Sequence, residues 1–188
     1  LNSVRILDKN GRGGSNKIEP ALEWCYQNNI RVVNLSFGTT NFHECEKLKK
    51  LVNKYVYSGM ILVAATANSG FVSYPASFTN VIGVATTGSP LSYSKDYMQM
   101  GIDTVVPSEH IIKIFDEEIK TSLSNSYAAP FVCALIANRL NTDKNLGIIK
   151  LKEYVKDQSH IEMIEGVYEP DWVYKAYVVG KKKTSRAD

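Results

Sequence analysis

Residues 31–66 read RVVNLSFGTTNFHECEKLKKLVNKYVYSGMILVAAT, in which two apolar runs flank a stretch with helical periodicity. The middle stretch, residues 43–57, places four apolar side chains on one face of a helix: Leu48, Leu51, Val52 and Val56. The flanking runs, residues 31–37 and 61–66, have the length and composition of buried strands. Strands joined by a helix pair in parallel, because the crossover brings the chain back to the same end of the sheet. The stretch therefore predicts an α/β fold.

The alternation of strands and helices continues on both sides of this stretch. The other predicted elements are strands at residues 4–7, 81–85 and 104–106, a hairpin over 110–123, and helices over 18–28, 126–140 and 146–156. This order predicts a three-layer αβα domain with a mainly parallel central sheet. We assign this domain to residues 1–158, and a C-terminal extension with a basic, frayed end to residues 159–188.

The composition is that of a folded globular chain. Of the 188 residues, 44% are apolar and 22% are charged, which argues against disorder. Much of the net charge of +3 lies in the tail Lys181-Lys182-Lys183. Because a basic stretch at a chain end is usually solvated and frayed, we expect no nucleic-acid partner. No run of apolar residues reaches the ~18 that a membrane-spanning helix needs, so we expect no membrane span. The three cysteines are an odd number without metal-site spacing, which favours free thiols and a reducing, cytoplasmic compartment.

The segment that opens the helix near residue 126 suggests chemistry as well as structure. Residues 124–130 read SNSYAAP, with a serine before small residues that leave its approach open. A hydroxyl at a helix N-terminus lies among unpaired backbone N–H groups, which stabilise negative charge that develops beside it. Ser126 is therefore a candidate nucleophile, but the segment taken alone favours the alternative that Ser126 serves only as the helix N-cap. Pro130 is expected in the first turn, where its missing N–H costs nothing.

Two loops at the carboxyl ends of predicted strands are the first places to look for a ligand site. Residues 36–38, Ser-Phe-Gly, form a glycine-containing edge that can pair with an extended peptide. Asn68 follows the strand at residues 61–66 and offers a side-chain amide on a turn of small residues. Taken alone, Asn68 is better explained as a turn residue that tolerates a left-handed conformation.

Taken in order, these segments resemble the subtilisin-like serine proteases over roughly residues 4–156. The segments that carry the resemblance are VRILDKNG at 4–11, VNLSFG at 33–38, VAATAN at 63–68, YPA at 74–76, VIGV at 81–84, VVP at 105–107 and SNSYAAP at 124–130. Each segment is short, but their common order and separation are specific. The resemblance implies a subtilisin-like αβα fold from which the N-terminal part of the domain is absent.

The resemblance also implies roles for individual residues. Ser126 is the expected nucleophile of a serine endopeptidase, and the Asn68 amide joins the Ser126 N–H in the oxyanion hole. The expected substrate-binding residues are Ser36, Phe37, Gly38, Ala65, Thr66 and Ala67. The expected partners are a peptide or protein substrate and the protein's own propeptide or N-terminal portion. No cofactor is implied except calcium, which many relatives bind, and no carboxylate-dense loop identifies a metal site here.

A general base and its orienting carboxylate are missing from the sequence. In this family both belong to motifs that precede the segment resembling residues 4–7, and no Asp-Thr-Gly turn or His-Gly-Thr-His helix start occurs here. Nothing in the spacing of His43, His110 or His160 implies hydrogen-bond reach to Ser126. We therefore expect the catalytic Asp and His upstream of this chain, and the 188 residues alone to be inactive.

Four residues, at three places in the chain, depart from the family pattern. Ser124-Asn125 stands where Gly-Thr is usual, Phe131 where histidine is usual, and Thr39 where glycine is frequent. Ser124 would restrict the turn if that position needed a positive φ, and Thr39 would narrow the substrate edge.

Two alternatives to an endopeptidase remain open. One is a non-catalytic subtilase-like module that binds peptide or protein partners, which would explain the missing base. The other is an unrelated α/β binding domain with a capped helix, which predicts none of the ordered matches.

Overall fold

The computed structural model describes residues 1–11, 13, 15–88, 101–114 and 117–158. Its strands are β1 (Val32–Leu35), β2 (Ile61–Ala65), β3 (Ile82–Thr86), β4 (Thr104–Val106), β5 (Ile111–Ile114) and β6 (Glu117–Lys120). Its α-helices are α1 (Ile18–Gln27), α2 (Cys45–Tyr57), α3 (Asn125–Thr142) and α4 (Ile148–Asp157). Short 3-10 turns at Ser15–Lys17 and Phe42–Glu44 lead into α1 and α2.

The central sheet is parallel, as the strand–helix–strand pattern predicts. Strands β1 to β4 lie side by side in sequence order, and every neighbouring pair is parallel. The register places Leu35 opposite Ala64 and Ala65 opposite Val84, so the carboxyl ends of β1, β2 and β3 meet at one edge. β5 and β6 form the predicted antiparallel hairpin, separate from this sheet.

Helices cover both faces of the sheet, because alternate side chains of its buried strands point to opposite sides. On one face, Leu62 and Ala64 of β2 pack with buried residues of α1 and α2. On the other face, Val63 of β2 and Val84 of β3 pack with buried residues of α3 and α4. The three-layer αβα architecture is confirmed.

The segment at residues 4–7 does not form the predicted strand. Val4 is 40% exposed, and the Arg5 side chain donates to the Leu7 carbonyl across an irregular turn. Within the part of the chain that the structure describes, no ladder joins this segment to β1. An apolar run becomes a strand only where a neighbouring strand satisfies its backbone, and that partner is a non-local condition.

Pro130 lies one turn deeper in its helix than expected. Helix α3 begins at Asn125, so Pro130 is its sixth residue and belongs to the second turn. At that position a proline removes the N–H that would donate to the Ser126 carbonyl four residues earlier. The Ser36 hydroxyl donates to this carbonyl instead, at 2.9 Å. The cost of the proline is thereby offset by a contact from β1 to α3.

The three cysteines are free, as the sequence predicts. Cys25 is buried in α1, whereas Cys45 and Cys133 are half-buried. Burial raises the pKa of the Cys133 thiol to about 12. Within the described residues, no helix combines the length and apolar content needed to cross a membrane. The predicted extension at residues 159–188 lies outside the described residues.

Candidate active site

Ser126 lies where the N-terminus of α3 meets the carboxyl end of β1. Its hydroxyl donates to the Ser36 carbonyl at 3.4 Å, and the Ser36 hydroxyl donates to the Ser126 carbonyl at 2.9 Å. The Asn34 amide donates to the Ser36 hydroxyl at 2.8 Å and holds it in place. This reciprocal pair brings the predicted peptide-binding edge next to the predicted nucleophile.

The N-cap of α3 is Ser124 and not Ser126. The Ser124 hydroxyl accepts from the Ser126 N–H at 3.3 Å, and Ser126 is the second residue of the helix. The interpretation of Ser126 as a simple cap is therefore wrong, and its hydroxyl is not committed to capping. Ser124 has φ −163° and ψ 137°, an extended conformation that any residue adopts. The restriction expected from a serine at this position does not arise.

Asn68 reaches the same point from the end of β2. Its side-chain oxygen accepts from the Asn125 N–H at 2.9 Å, which fixes the orientation of the amide because an N–H group donates only to the oxygen. The Asn68 Nδ2 therefore faces the Ser124 hydroxyl, at 3.2 Å. Two N–H donors, one from Asn68 and one from the Ser126 backbone, converge on a single oxygen position.

Asn125 is a site residue that the sequence did not reveal. Its side chain is 0% exposed. The side-chain oxygen accepts from the Thr86 N–H at 2.8 Å, and Nδ2 donates to the carbonyl and the hydroxyl of Thr66 at 3.1 and 2.9 Å. Asn125 thus ties the start of α3 to the ends of β2 and β3. No local pattern marks an asparagine as buried, because its partners come from residues 39 and 59 positions away.

The predicted substrate edge leaves the sheet beyond β1. Phe37 and Gly38 follow Ser36 and line a shallow pocket together with Thr39 and Tyr74. Thr39 and Tyr74 exchange backbone hydrogen bonds of 2.9 and 2.8 Å. A Cβ atom at position 38 would lie 3.0 Å from the Tyr74 carbonyl oxygen, closer than an ordinary van der Waals contact, so the close approach of these segments favours glycine.

The segment after β2 is turned toward the interior. Ala65 and Thr66 are each 5% exposed. The Thr66 hydroxyl donates to the Val84 carbonyl at 3.1 Å, and the Ala67 N–H donates to the Ser73 hydroxyl at 2.9 Å. These contacts hold the turn that presents Asn68, and the role of Ala65, Thr66 and Ala67 in substrate binding stays a prediction.

Among the described residues, no histidine hydrogen-bonds the Ser126 hydroxyl. His43 lies in the 3-10 turn before α2. The His110 ring stacks on Phe131 at a centroid distance of 5.4 Å, and its buried Nε2 has no hydrogen-bond partner among the described residues. His160 lies outside the described residues.

The buried carboxylate of Asp103 serves the fold and not the site. Its Oδ2 accepts from the Gly83 N–H and from the Lys152 ammonium group, both at 2.8 Å. Burial raises the pKa of Asp103, while the positive charge of Lys152 and the Gly83 N–H oppose that rise. In the described ranges no three His, Cys, Asp or Glu side chains lie together as metal ligands. The use of calcium therefore stays a prediction from the resemblance.

The described chain is thus an αβα domain with a serine near a helix N-terminus and a side-chain amide close to it at the carboxyl edge of the sheet. The model of the subtilase family matches residues 1–166, and the chain belongs to this family. The expected resemblance to subtilisin-like serine proteases is thereby confirmed.

The chain is also similar to individual proteins whose names are those of subtilisins or proteases. The chain is 29% identical to subtilisin BL of Lederbergia lenta over 163 residues, which are 84% of this chain and 59% of that protein. It is 28% identical to M-protease of Shouchella clausii, covering 84% of this chain and 42% of the relative. It is 31% identical to a thermostable alkaline protease of Halalkalibacterium halodurans, covering 73% and 38% respectively. The chain thus spans about two fifths to three fifths of the length of these relatives.

Proposed function

We propose that this chain carries the nucleophile and the oxyanion donors of a serine endopeptidase. The observation that carries the proposal is the convergence of the Asn68 Nδ2 and the Ser126 N–H, at 3.2 and 3.3 Å, on one oxygen position beside the serine. Two N–H donors aimed at one point are the arrangement needed to stabilise the oxyanion of a tetrahedral intermediate. The family membership supports the same chemistry.

In the proposed reaction the Ser126 oxygen attacks the carbonyl carbon of the scissile peptide bond. The hydroxyl proton passes to a histidine, and the negative charge moves to the carbonyl oxygen, where Asn68 and the Ser126 N–H donate to it. Collapse of this intermediate breaks the C–N bond and releases the amine, which takes a proton from the histidine. Water then attacks the ester on Ser126 and releases the acid. The catalytic Asp and His are proposed to come from sequence upstream of residue 1.

The substrate is proposed to bind as an added strand. The backbone of residues 36–38 continues beyond β1, next to Ser126, and an extended peptide can pair with such an edge. In this arrangement the scissile carbonyl lies between the Ser126 hydroxyl and the Asn68 amide. In subtilisin, loss of one oxyanion donor costs roughly 2.7–4 kcal/mol, and by analogy we expect a similar loss for Asn68→Ala.

One observation favours a second function, that of a non-catalytic peptide-binding module. Among the described residues the Ser126 hydroxyl has the Ser36 carbonyl as its hydrogen-bond partner and no histidine. A serine without a base is a poor nucleophile. Such a module would keep the edge at residues 36–38 and hold a peptide without cleaving it.

Labelling with a fluorophosphonate distinguishes the two functions. In the complete protein, including any upstream sequence, we expect stoichiometric phosphonylation of Ser126 and loss of labelling in Ser126→Ala. Ser122→Ala, a change at an exposed serine of the same segment, serves as the control and should label normally. Absence of label on Ser126 in the complete protein would favour the binding module.

The 188 residues alone are proposed to turn over no peptide substrate at a useful rate. The physical reason is that no base within the described residues reaches Ser126. Incubating purified 1–188 with a casein substrate and measuring peptide release checks this. Efficient turnover, abolished by Ser126→Ala, would show that a histidine of this chain acts as the base.

A further inference from the structure

The oxyanion position of the proposed site is occupied by the protein itself. The single oxygen on which the Asn68 Nδ2 and the Ser126 N–H converge is the hydroxyl of Ser124. Both donors are therefore hydrogen-bonded within the protein before any substrate arrives. This inference rests on the proposed function, because it concerns the use of the same donors.

The surroundings of Ser124 hold its hydroxyl at this position. Its backbone N–H donates to the Ser108 hydroxyl at 3.1 Å, and its carbonyl accepts from the Tyr127 N–H at 3.0 Å. The backbone of residue 124 is thus fixed on both sides. The Asn125 N–H fixes the Asn68 amide with its Nδ2 toward Ser124. Rotation about the Ser124 Cα–Cβ bond is then the simplest movement that vacates the position.

Ser124 is half-buried, and Asn68 is exposed, so a substrate carbonyl can reach the donors from solvent. To bind there, its oxygen must replace the Ser124 oxygen at both N–H groups. The exchange breaks two neutral hydrogen bonds in the ground state and gains charge-assisted ones only when the oxyanion forms. A residue without a side chain at position 124 would leave both donors open.

We propose that the Ser124 hydroxyl is an internal competitor for the oxyanion hole, which substrate must displace before acylation. Ser124 is then a residue that sets the rate of the reaction without taking part in proton transfer. Its position next to the nucleophile makes the displacement a local rotation, with no movement of α3.

The test compares the rate constants of Ser126 phosphonylation in the complete protein. In this reaction the Ser126 oxygen forms a bond to phosphorus, the P–F bond breaks, fluoride leaves and the serine proton passes to the base. The phosphoryl oxygen takes the oxyanion position. We expect Ser124→Gly to raise the second-order rate constant about threefold to tenfold, the equivalent of one net hydrogen bond. Glycine is a tolerated N-cap, so the helix should keep its stability.

Three further variants separate competition from other effects. Ser124→Ala removes the hydroxyl but keeps a Cβ atom, and it should also label faster than wild type. Ser122→Gly, at an exposed serine nearby, should label at the wild-type rate. In an Asn68→Ala background the gain from Ser124→Gly should shrink, because one of the two contested donors is gone. The thermal midpoints of all variants are measured alongside, to show that the rates do not follow stability.

Each possible result either supports or overturns the proposed competition by the Ser124 hydroxyl. A faster Ser124→Gly with an unchanged Ser122→Gly supports it. A wild-type protein that labels while Ser124→Gly labels equally or more slowly overturns it, and the proposed function survives. If neither protein labels at Ser126, the proposed function fails and the inference falls with it.

Discussion

Asn125 shows how one buried amide can fix the geometry of the candidate active site. Its side-chain oxygen and nitrogen bind Thr86 and Thr66, and its backbone N–H orients Asn68. Every one of these hydrogen bonds crosses from α3 to the end of a strand. These contacts thereby hold Ser126, the second residue of α3, at a fixed distance from the edge of the sheet.

Asn125→Ala should lower the free energy of unfolding by about 2–3 kcal/mol. The reason is that the Thr86 N–H and the Thr66 hydroxyl and carbonyl would lose their buried partner, at about 1–3 kcal/mol for an unsatisfied group. Urea denaturation followed by circular dichroism measures the change. Asn145→Ala, at an exposed position, is the control and should stay within about 0.5 kcal/mol of wild type. Equal effects of the two substitutions would contradict the role given to Asn125.

Cys133 should resist alkylation in the folded protein. Burial raises its pKa to about 12, so at pH 8 the thiol is almost entirely protonated, and only the thiolate reacts. Iodoacetamide treatment at pH 8 followed by peptide mass spectrometry should find Cys133 unmodified in buffer. The same treatment in 8 M urea should modify it fully, because an unfolded cysteine has a pKa near 8.5. Equal modification in both conditions would show that the thiol is not buried.

The chemistry of single residues was partly foreseeable. Taken alone, the local patterns at Ser126 and Asn68 favour a helix cap and a turn residue, and the resemblance of the ordered segments gave both residues their expected roles. The structure brings the two residues to one point. The capping hydrogen bond of Ser124 is local, since the Ser126 N–H lies two residues further on, but the second donor to the Ser124 hydroxyl, the Asn68 amide, is more than fifty residues away. The burial of Asn125 likewise depends on Thr66, more than fifty residues away, and the sequence shows neither of these long-range contacts.

Contacts between β1 and α3 show how elements compensate for each other's local defects. Pro130 deprives the Ser126 carbonyl of an intrahelical donor, and the Ser36 hydroxyl supplies one from the end of β1. The proline and the serine therefore act as a pair, although they are far apart in sequence. In an isolated helix the unpaired carbonyl would be destabilising. In this protein the same carbonyl binds the Ser36 hydroxyl and so connects α3 to the sheet.

Ser36→Ala should cost about 1–2 kcal/mol in the presence of Pro130, because the Ser126 carbonyl loses its donor. In a Pro130→Ala background the same change should cost less than about 0.5 kcal/mol, since an alanine at position 130 offers a backbone N–H to that carbonyl. A double-mutant cycle in urea gives the coupling energy, expected at about 1 kcal/mol. Strict additivity of the two substitutions would show that the pair is not coupled.

Periodicity in the sequence predicted the elements better than their partners. The helices α1 to α4 and the strands β1 to β4 follow from local patterns of apolar residues, and their ends differ from expectation by a few residues. Residues 4–7 have the same apolar character as β4, yet they form no strand in the structure. A strand needs a neighbouring strand to hydrogen-bond its backbone, as well as a pattern of apolar residues. The apolar pattern does not show whether such a neighbour is present.

The layers of the molecule are joined at β4 by an ion pair between the buried Asp103 and the half-buried Lys152. Asp103, just before β4, accepts from the Lys152 ammonium group on α4 and from the Gly83 N–H on β3. The neighbouring Thr104 hydroxyl donates to the Val155 carbonyl of α4 at 2.7 Å. These contacts attach α4 to the edge of the sheet opposite β1, so the C-terminal helix of the described chain is part of the αβα core.

Asp103 should make the stability of the whole domain depend on pH. Burial raises its pKa in the folded state above the ordinary value of 3.8, despite the opposing charge of Lys152. The folded protein therefore binds more protons than the unfolded chain between those two pKa values. It follows that the contribution of Asp103 to stability is fully present below pH 3.8 and is lost as the pH rises through the folded pKa.

Comparison with Asp103→Asn isolates this effect, because the other titrating groups contribute equally to the stability of both proteins. The asparagine itself carries no charge at any pH. We expect the stability of wild type relative to Asp103→Asn to fall as the pH is raised from about 3 to about 7, the interval that begins below the ordinary pKa. Urea unfolding at several pH values in this interval measures the difference. A relative stability that rises with pH would mean that attraction to Lys152, at 2.8 Å, outweighs the cost of burying the carboxylate. The ion pair would then add to the attachment of α4, whereas the expected fall would show that the apolar core around Leu151 and Val155 contributes more to that attachment than the charge of Asp103 does.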